Sequence, residues 1–285
     1  MHIIWAVLVT TSAWSIELED IRAAYQEKYD QLKTYRVEYE ETREIHAADG
    51  KPQKPVTFGC VFQGKGQQFT LKMYDGMTTG SPWLLTLKGY DGHTIKEAQF
   101  SPTGALMGNK ESKGNLDRAY TLTASTYLAL VGLHTARHEA ESEAISPSHT
   151  TNMQICLADP RTRLLPEIEE VNGLACYVIE FGGFFRAWLA RDKGFALVKR
   201  ESSNTKSVPR VVFNRVVCDD FREFAPGFFL PMKVSHDADK TAAPQFGYSM
   251  TTCKLTSVKL NPLLEDSDFA IALPPKPLLE RLFGG

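Results

Sequence analysis

The sequence lacks long hydrophobic runs, a surplus of one charge and a rich set of cysteines. Its 285 residues include 32 lysines and arginines against 34 aspartates and glutamates, a formal net charge of −2. This balance argues against nucleic-acid binding, which usually needs a basic surplus or stripe. Five cysteines are too few for a disulfide scaffold. No run approaches the roughly 20 apolar residues of a membrane-spanning helix.

What is present is an ordinary globular composition. Hydrophobic residues make up 43% of the chain and charged residues 23%, which allows a sizeable core and gives no indication of disorder. No strong catalytic motif stands out. Function therefore has to be argued from architecture and from family resemblance.

The N-terminus carries a pattern typical of a secretory signal peptide. Residues 3–9 form the short apolar run IIWAVLV, and Ala13-Trp14-Ser15 supplies a small-x-small cleavage site. We expect cleavage after Ser15, a periplasmic or secreted location, and a single domain over residues 16–285. The alternative is a buried N-terminal strand. No cysteine follows the run, so a lipid anchor of the bacterial lipoprotein kind is not expected.

Two segments have helical periodicity. Residues 16–34 place Ile21, Tyr25, Tyr29 and Leu32 on one stripe. Residues 116–133, which include Tyr127 and Val131, form the second candidate, with a possible continuation to Ile145.

The rest of the chain alternates with the period of β-strands. Paired strands are predicted around Gly64–Gly66, Asp91-Gly92 and above all Asn172-Gly173, because Asn-Gly between alternating segments favours a hairpin. Residues 101–115 are polar and are predicted to be a loop, strands resume near Met153, and residues 269–273 alternate once more. The prediction is a mainly β (α+β) fold of about a dozen antiparallel strands with two helical interruptions. Such a sheet curls and needs a helical cover, which either fills its apolar face or leaves a cavity.

Several short motifs resemble the LolA/LolB superfamily of lipoprotein carriers, in particular its divergent outer-membrane lipoprotein-sorting type. They are LKTYRVEY at 32–39, the Tyr90-Asp91-Gly92 turn, Leu230-Pro231, and DFAIALP at 268–274. The resemblance implies an unclosed β-barrel with a helical lid over an apolar cavity that accepts acyl chains.

The candidate ligand-binding residues form an apolar, largely aromatic stripe that faces inward if the sheet curls. Aromatic and Met side chains line apolar pockets. The alternative is that these residues simply pack against the lid helix. The candidates are Tyr35, Val37, Tyr39, Phe58, Phe62, Phe69, Leu71, Met73, Tyr127 and Val131.

Other potential sites have simpler explanations. His134 and His138 share a helix face, but Thr135 stands where a zincin motif needs Glu. Cys218 and Cys253 are expected two strand spacings apart, too far for a disulfide, so the cysteines are interpreted as buried thiols. The carboxylates at 167–170 and 219–220 fit solvent-facing strand positions. No catalytic residue, metal or cofactor is predicted.

The sequence therefore predicts a monomeric, exported, non-enzymatic protein that holds lipid or lipoprotein acyl chains. A cell-envelope protein is a possible acceptor, and neither nucleic acid nor a transmembrane span is expected. Two alternatives stay open: an envelope interaction module with a filled core, and a hydrolase whose site the sequence does not reveal.

Overall fold

A computed structural model describes residues 16–46, 51–76, 81–113, 127–133, 153–183, 185–204, 211–238 and 248–271. These residues contain three α-helices, α1 (Leu18–Gln31), α2 (Tyr127–Leu130) and α3 (Met153–Ala158). They also contain thirteen strands: β1 (Thr34–His46), β2 (Val56–Lys65), β3 (Gln68–Asp75), β4 (Trp83–Tyr90), β5 (Thr94–Phe100), β6 (Leu106–Lys113), β7 (Thr162–Val171), β8 (Leu174–Phe181), β9 (Phe185–Ala190), β10 (Ala196–Asn204), β11 (Val211–Ala225), β12 (Phe228–Ala238) and β13 (Tyr248–Leu260).

The described strands form a single antiparallel sheet that does not close. Its spatial order is β6-β5-β4-β3-β2-β1-β13-β12-β11-β10-β9-β8-β7. Each half of the chain is thus a meander, and the first and last strands join the two halves at the centre, where Val37 pairs with Val258. The predicted curled antiparallel sheet forming an unclosed barrel is confirmed.

The sheet has an inner face, defined as the face on which the helices pack. Tyr35, Val37 and Tyr39 alternate with half-buried polar residues along β1, and all three belong to the main core together with Ile21 of α1 and Tyr127 of α2. Because successive strand residues point to opposite faces, the register of β1 fixes which residues of its neighbours face inward.

The Asn172-Gly173 hairpin forms as predicted. Asn172 and Gly173 have φ angles of 52° and 76°, and Val171 pairs with Leu174 across the turn. An Asn-Gly pair accepts the two positive φ angles that a tight hairpin turn requires.

Three local predictions were wrong or incomplete. Residues 106–113, predicted as loop, form the edge strand β6, because a charged, Gly-containing sequence also suits an unpaired sheet edge. The strand expected from Met153 begins at Thr162, after α3. Of the predicted 116–133 helix, the described part is helical at Tyr127–Leu130, and residues 116–126 lie outside the described residues. None of the helices in the described ranges is long and apolar enough to cross a membrane.

The predicted strand at 269–273 is also corrected, as far as residue 271. The chain forms a 3-10 turn at Asp266–Asp268 and then continues without strand pairing. Phe269 and Ile271 are nonetheless buried, at 1% and 7% exposure, because the segment packs on the outer face of the sheet. Gly89 has no side chain and leaves the space that Ile271 fills.

Charged side chains form a row across the outer face of β7–β11, called here the charged row. Its members are Arg163, Glu180, Arg186, Glu201 and Arg215, neighbours in the strand register. Glu180 accepts from Arg163 Nη2 and Arg186 Nε at 2.9 Å each, and Glu201 accepts from Arg215 Nε at 3.1 Å. Opposite charges at cross-strand positions stabilise the observed pairing over a shifted one.

Candidate functional site

The strand register brings the predicted stripe together on the inner face. Val37 pairs with Phe62, which pairs in turn with Leu71. Tyr39 pairs with Cys60, which pairs in turn with Met73, and Gly64 pairs with Phe69. Directly paired residues share a face, so all eight strand residues of the stripe face the helices.

The stripe is packed in the present structure. Phe62 and Tyr127 are 0% exposed, Leu71 is 5% exposed, and Met73 at 9% is the most accessible of the nine buried members. Phe58 is the exception because it is half-buried, near the end of the sheet where β1 stops. Neighbouring rings lie 5.6–6.2 Å apart from Tyr35 through Phe62 and Phe69 to Tyr90, a spacing that favours aromatic contact.

Helix α1 covers the stripe much as its periodicity predicted. Ile21, Tyr25 and Leu32 are buried, while Tyr29 is half-buried and donates from its hydroxyl to the carbonyl of Gly132 at 2.6 Å. Gly132 follows α2, so this hydrogen bond ties α1 to the second helical segment.

Helices α2 and α3 complete the cover of the described inner face. Tyr127 lies 5.9 Å from the ring of Tyr39 and donates to the carbonyl of Pro231 on β12. Arg22 of α1 donates to the carbonyl of Leu157 on α3 at 2.7 Å. Among the described residues, the cover thus consists of three helical segments, with α1 joined to the other two by side-chain hydrogen bonds.

Lys28 is a buried cation on α1 that the predicted apolar positions of this helix did not include. It lies on the covered side of α1 at 5% exposure, with its ammonium 4.5 Å from the centre of the Tyr25 ring. Burial lowers the pKa of Lys28 from 10.5 to about 7. The spacing from Ile21 through Tyr25 to Lys28 and Leu32 is helical, and this was the available sequence signal.

A second charged group lies beside Phe58. Glu41 continues the inner alternation of β1 at 3% exposure and accepts from Arg43 Nε at 2.5 Å. The guanidinium of Arg43 lies 5.3 Å from the Phe58 ring. The Cys60 thiol lies 4.0 Å from Glu41, and burial, followed by the charge of Glu41, raises the pKa of Cys60 to about 12.

A third charged group is Arg200 of β10, which is 3% exposed and pairs in register with the core residue Val216. Burial, followed by the charge of Arg200, lowers the pKa of His236 to about 4. His236 is in hydrogen-bond contact with Asn214 at 2.9 Å. This imidazole is therefore neutral at physiological pH, and it is held in place rather than poised for proton transfer.

The cysteines are buried free thiols, as interpreted from the sequence. Cys253 pairs in register with Val234, which pairs with Cys218, so β12 separates the two cysteines as predicted. Cys176 lies opposite Glu169. Burial is the main cause of a raised pKa at Cys156 and Cys218, about 12 in each, so these thiols are protonated and poor nucleophiles.

The remaining candidate sites gain no support. His134 and His138 lie outside the described residues. Asp219 and Asp220 are exposed, as expected for solvent-facing positions. No group of three or more His, Cys, Asp or Glu side chains suited to a metal ion occurs in the part of the chain that the structure describes.

Two pockets open at the surface of the described structure, and the second reaches Tyr39 of the stripe. One of about 350 Å³ lies between α1, α3 and the β2–β3 turn, lined by Gln26, Tyr29, Asp30, Leu32, Lys33, Gly66, Gln67 and Gln154. The other, of about 310 Å³, is lined by Glu38, Tyr39, Glu40, Gly59, Cys60, Val61, Tyr74, Pro82 and Thr256. Both are open to solvent, unlike an enclosed acyl-chain site.

Comparison with known proteins finds similarity among solved structures alone. Neither a protein-family model nor a curated protein matches the chain. Among solved structures, it is similar to a putative outer membrane lipoprotein-sorting protein domain from Vibrio parahaemolyticus, at 12% identity and a TM-score of 0.49, covering 89% of this chain and 97% of that one. It is also similar to a DUF1329 family protein from Desulfovibrio piger, at 13% identity and a TM-score of 0.47, covering 88% and 97%.

The observed architecture agrees with the unclosed, helix-covered antiparallel sheet that the LolA/LolB resemblance implied. That conclusion rests on the helix followed by one curled, unclosed antiparallel sheet with helical segments on its inner face. Likenesses at 12–13% identity and TM-scores below 0.5 carry no information about a ligand. The use of the inner face has to be argued from its own residues.

Proposed function

We propose that this chain is an exported binding protein that holds a hydrophobic ligand, the acyl chains of a lipid or lipoprotein, between its helices and the inner face of its sheet. Binding would need no covalent chemistry. Each methylene group moved from water into the apolar interior contributes about 0.8 kcal/mol.

The observation that carries the proposal is the construction of the cover. A continuous aromatic and aliphatic surface lies beneath the described helical segments, whose buried residues belong to the same apolar core as the sheet. Apolar contacts with the sheet, together with the hydrogen bonds from Tyr29 and Arg22 of α1, hold α2 and α3 in place. An acyl chain offers the same apolar contacts and can replace them when a helical segment shifts.

Opening of the helical cover would begin with the hydrogen bonds that join α1 to the other helical segments. The hydrogen bonds from Tyr29 to Gly132 and from Arg22 to Leu157 join α1 to its neighbours, and each is worth about 1 kcal/mol net. Breaking them costs little beside the burial of a long acyl chain. The half-buried Phe58 lies where the stripe is most accessible and is the proposed entry point.

The test compares two charged substitutions on the same strand. Phe58 and Val61 of β2 are both half-buried but face opposite sides of the sheet. Phe58→Lys should abolish binding of a radiolabelled fatty acid in equilibrium dialysis, because it replaces the apolar ring at the proposed entry point by an ammonium beside the Glu41–Arg43 pair, which an acyl chain would have to desolvate. Val61→Lys should bind like the wild type, and Phe58→Leu should retain most of the affinity.

Unfolding midpoints measured beside binding separate loss of the site from loss of the fold. Mass spectrometry of lipid extracted from the purified protein supplies the second readout. A wild-type protein that carries no lipid and binds no fatty acid would refute the proposal.

A second candidate function is favoured by the tight packing of the stripe. Nine of its ten members are at most 9% exposed, as expected for an envelope interaction module with a filled core. Such a module would bind no fatty acid, and Phe58→Lys would change its stability alone.

A further inference from the structure

We propose that Lys28 anchors an anionic headgroup, so that the ligand is an acyl-chain amphiphile ending in a carboxylate or a phosphate. This inference rests on the proposed function and specifies the ligand class of the same site.

The position of Lys28 points to the interior. It lies on α1 between Tyr25 and Leu32 on the face that covers the sheet, and 95% of its surface is buried. Its ammonium contacts the Tyr25 ring at 4.5 Å, and it makes no ion pair in the described structure. A ring face attracts a cation weakly and leaves the three N–H donors of an ammonium available.

The buried carboxylates of the described residues are engaged elsewhere. Glu41 pairs with Arg43, and Glu180 and Glu201 belong to the charged row on the outer face. None of them is therefore available to neutralise Lys28. A buried cation is normally paired, so the missing anion is expected to come from the ligand.

The buried ammonium of Lys28 favours an anion over a neutral headgroup. An anion placed beside it gains from the positive charge and from the N–H donors, whereas an alcohol or ester gains no comparable charge interaction.

The experiment measures binding of three ligands with the same chain: dodecanoate, dodecyl phosphate and dodecanol, each radiolabelled, by equilibrium dialysis at pH 7. Of dodecanoate and dodecyl phosphate, the one that the wild type binds more tightly should bind at least tenfold more tightly than dodecanol, equivalent to about 1.4 kcal/mol. Lys28→Met should bind all three within twofold of one another, with its affinity for dodecanol retained. Lys33→Met, an exposed lysine beyond the end of α1, should behave like the wild type.

The outcomes separate this inference from the proposed function. Wild-type binding of dodecanol and both anions with equal affinity, or a tenfold preference that persists in Lys28→Met, would overturn the anchor and leave the hydrophobic site standing. Binding of none of the three would overturn both proposals. Tighter binding of dodecanoate than of dodecyl phosphate supports the anchor with a fatty acid as ligand, and the reverse supports it with a lipid phosphate. An unfolding midpoint of Lys28→Met at or above the wild-type value shows that the variant is folded.

Discussion

Replacing Lys28 by Met should raise the free energy of unfolding of the ligand-free protein. Burial lowers the pKa of Lys28 from 10.5 to about 7, so the folded protein loses this proton near pH 7 and the unfolded chain keeps it until about pH 10.5. Each pH unit between the two values is worth about 1.4 kcal/mol. Below pH 7 the buried ammonium therefore costs the folded state at most about 5 kcal/mol, and this cost disappears as pH rises towards 10.5.

The expected gain for Lys28→Met is about 2–4 kcal/mol at pH 6, because Met keeps the apolar stem and loses a ring contact worth about 1 kcal/mol. At pH 9 the gain should shrink to less than half. Buried thiols act in the opposite direction above pH 9. The pKa of Cys60 rises to about 12 through burial, so the unfolded chain loses that proton first and stability falls.

Urea unfolding at pH 6, 7, 8 and 9 measures the difference in free energy of unfolding between wild type and variant. The contribution of the buried thiols is the same in both proteins and cancels in this difference. Lys33→Met supplies the control for loss of a lysine at an exposed position. A Lys28→Met variant within 0.5 kcal/mol of wild type at pH 6, or a difference that does not change with pH, would refute the reasoning.

Three further predictions concern other parts of the chain. Gly64→Ala should destabilise the protein by about 1–3 kcal/mol in urea unfolding, because the new Cβ would overlap the buried Tyr35 ring, whereas Gly108→Ala on β6 meets no atom and should be neutral. Burial raises the pKa of Glu180, but the hydrogen bonds and charges of Arg186 and Arg163 outweigh it and hold that pKa below its usual value. Glu180→Gln should therefore cost about 1–2 kcal/mol at pH 7, and the difference should vanish as pH falls through the lowered pKa. N-terminal sequencing of protein from its native host should begin at Ile16, and an intact Met1 would remove the export prediction.

Local periodicity was enough to predict the inner face but not its charges. Alternation along β1, β2 and β3 placed Tyr35, Phe62 and Met73 on one face, because a buried face requires a period of two. Lys28 occupies a core-facing position in the helical pattern, but lysine side chains are usually exposed. Its burial therefore could not be predicted without the three-dimensional structure.

Edge strands and long-range pairs escaped prediction for different reasons. β6 has the polar composition of a loop because nothing pairs with its second edge among the described strands. The pairing of β1 with β13 leaves no local trace, since neither sequence specifies a partner more than two hundred residues away. The correct order of Cys253, Val234 and Cys218 followed because adjacent meander strands pair in sequence.

The junction of β1 with β13 also makes completion of the sheet depend on the last described strand of the chain. Thr34, the first residue of β1, and Asn261, directly after β13, are 227 positions apart, so one edge of β1 lacks its partner until nearly the whole chain is free to fold. An unpaired edge is a template for pairing with another polypeptide. The folding chain must therefore be kept from its neighbours until β13 has paired.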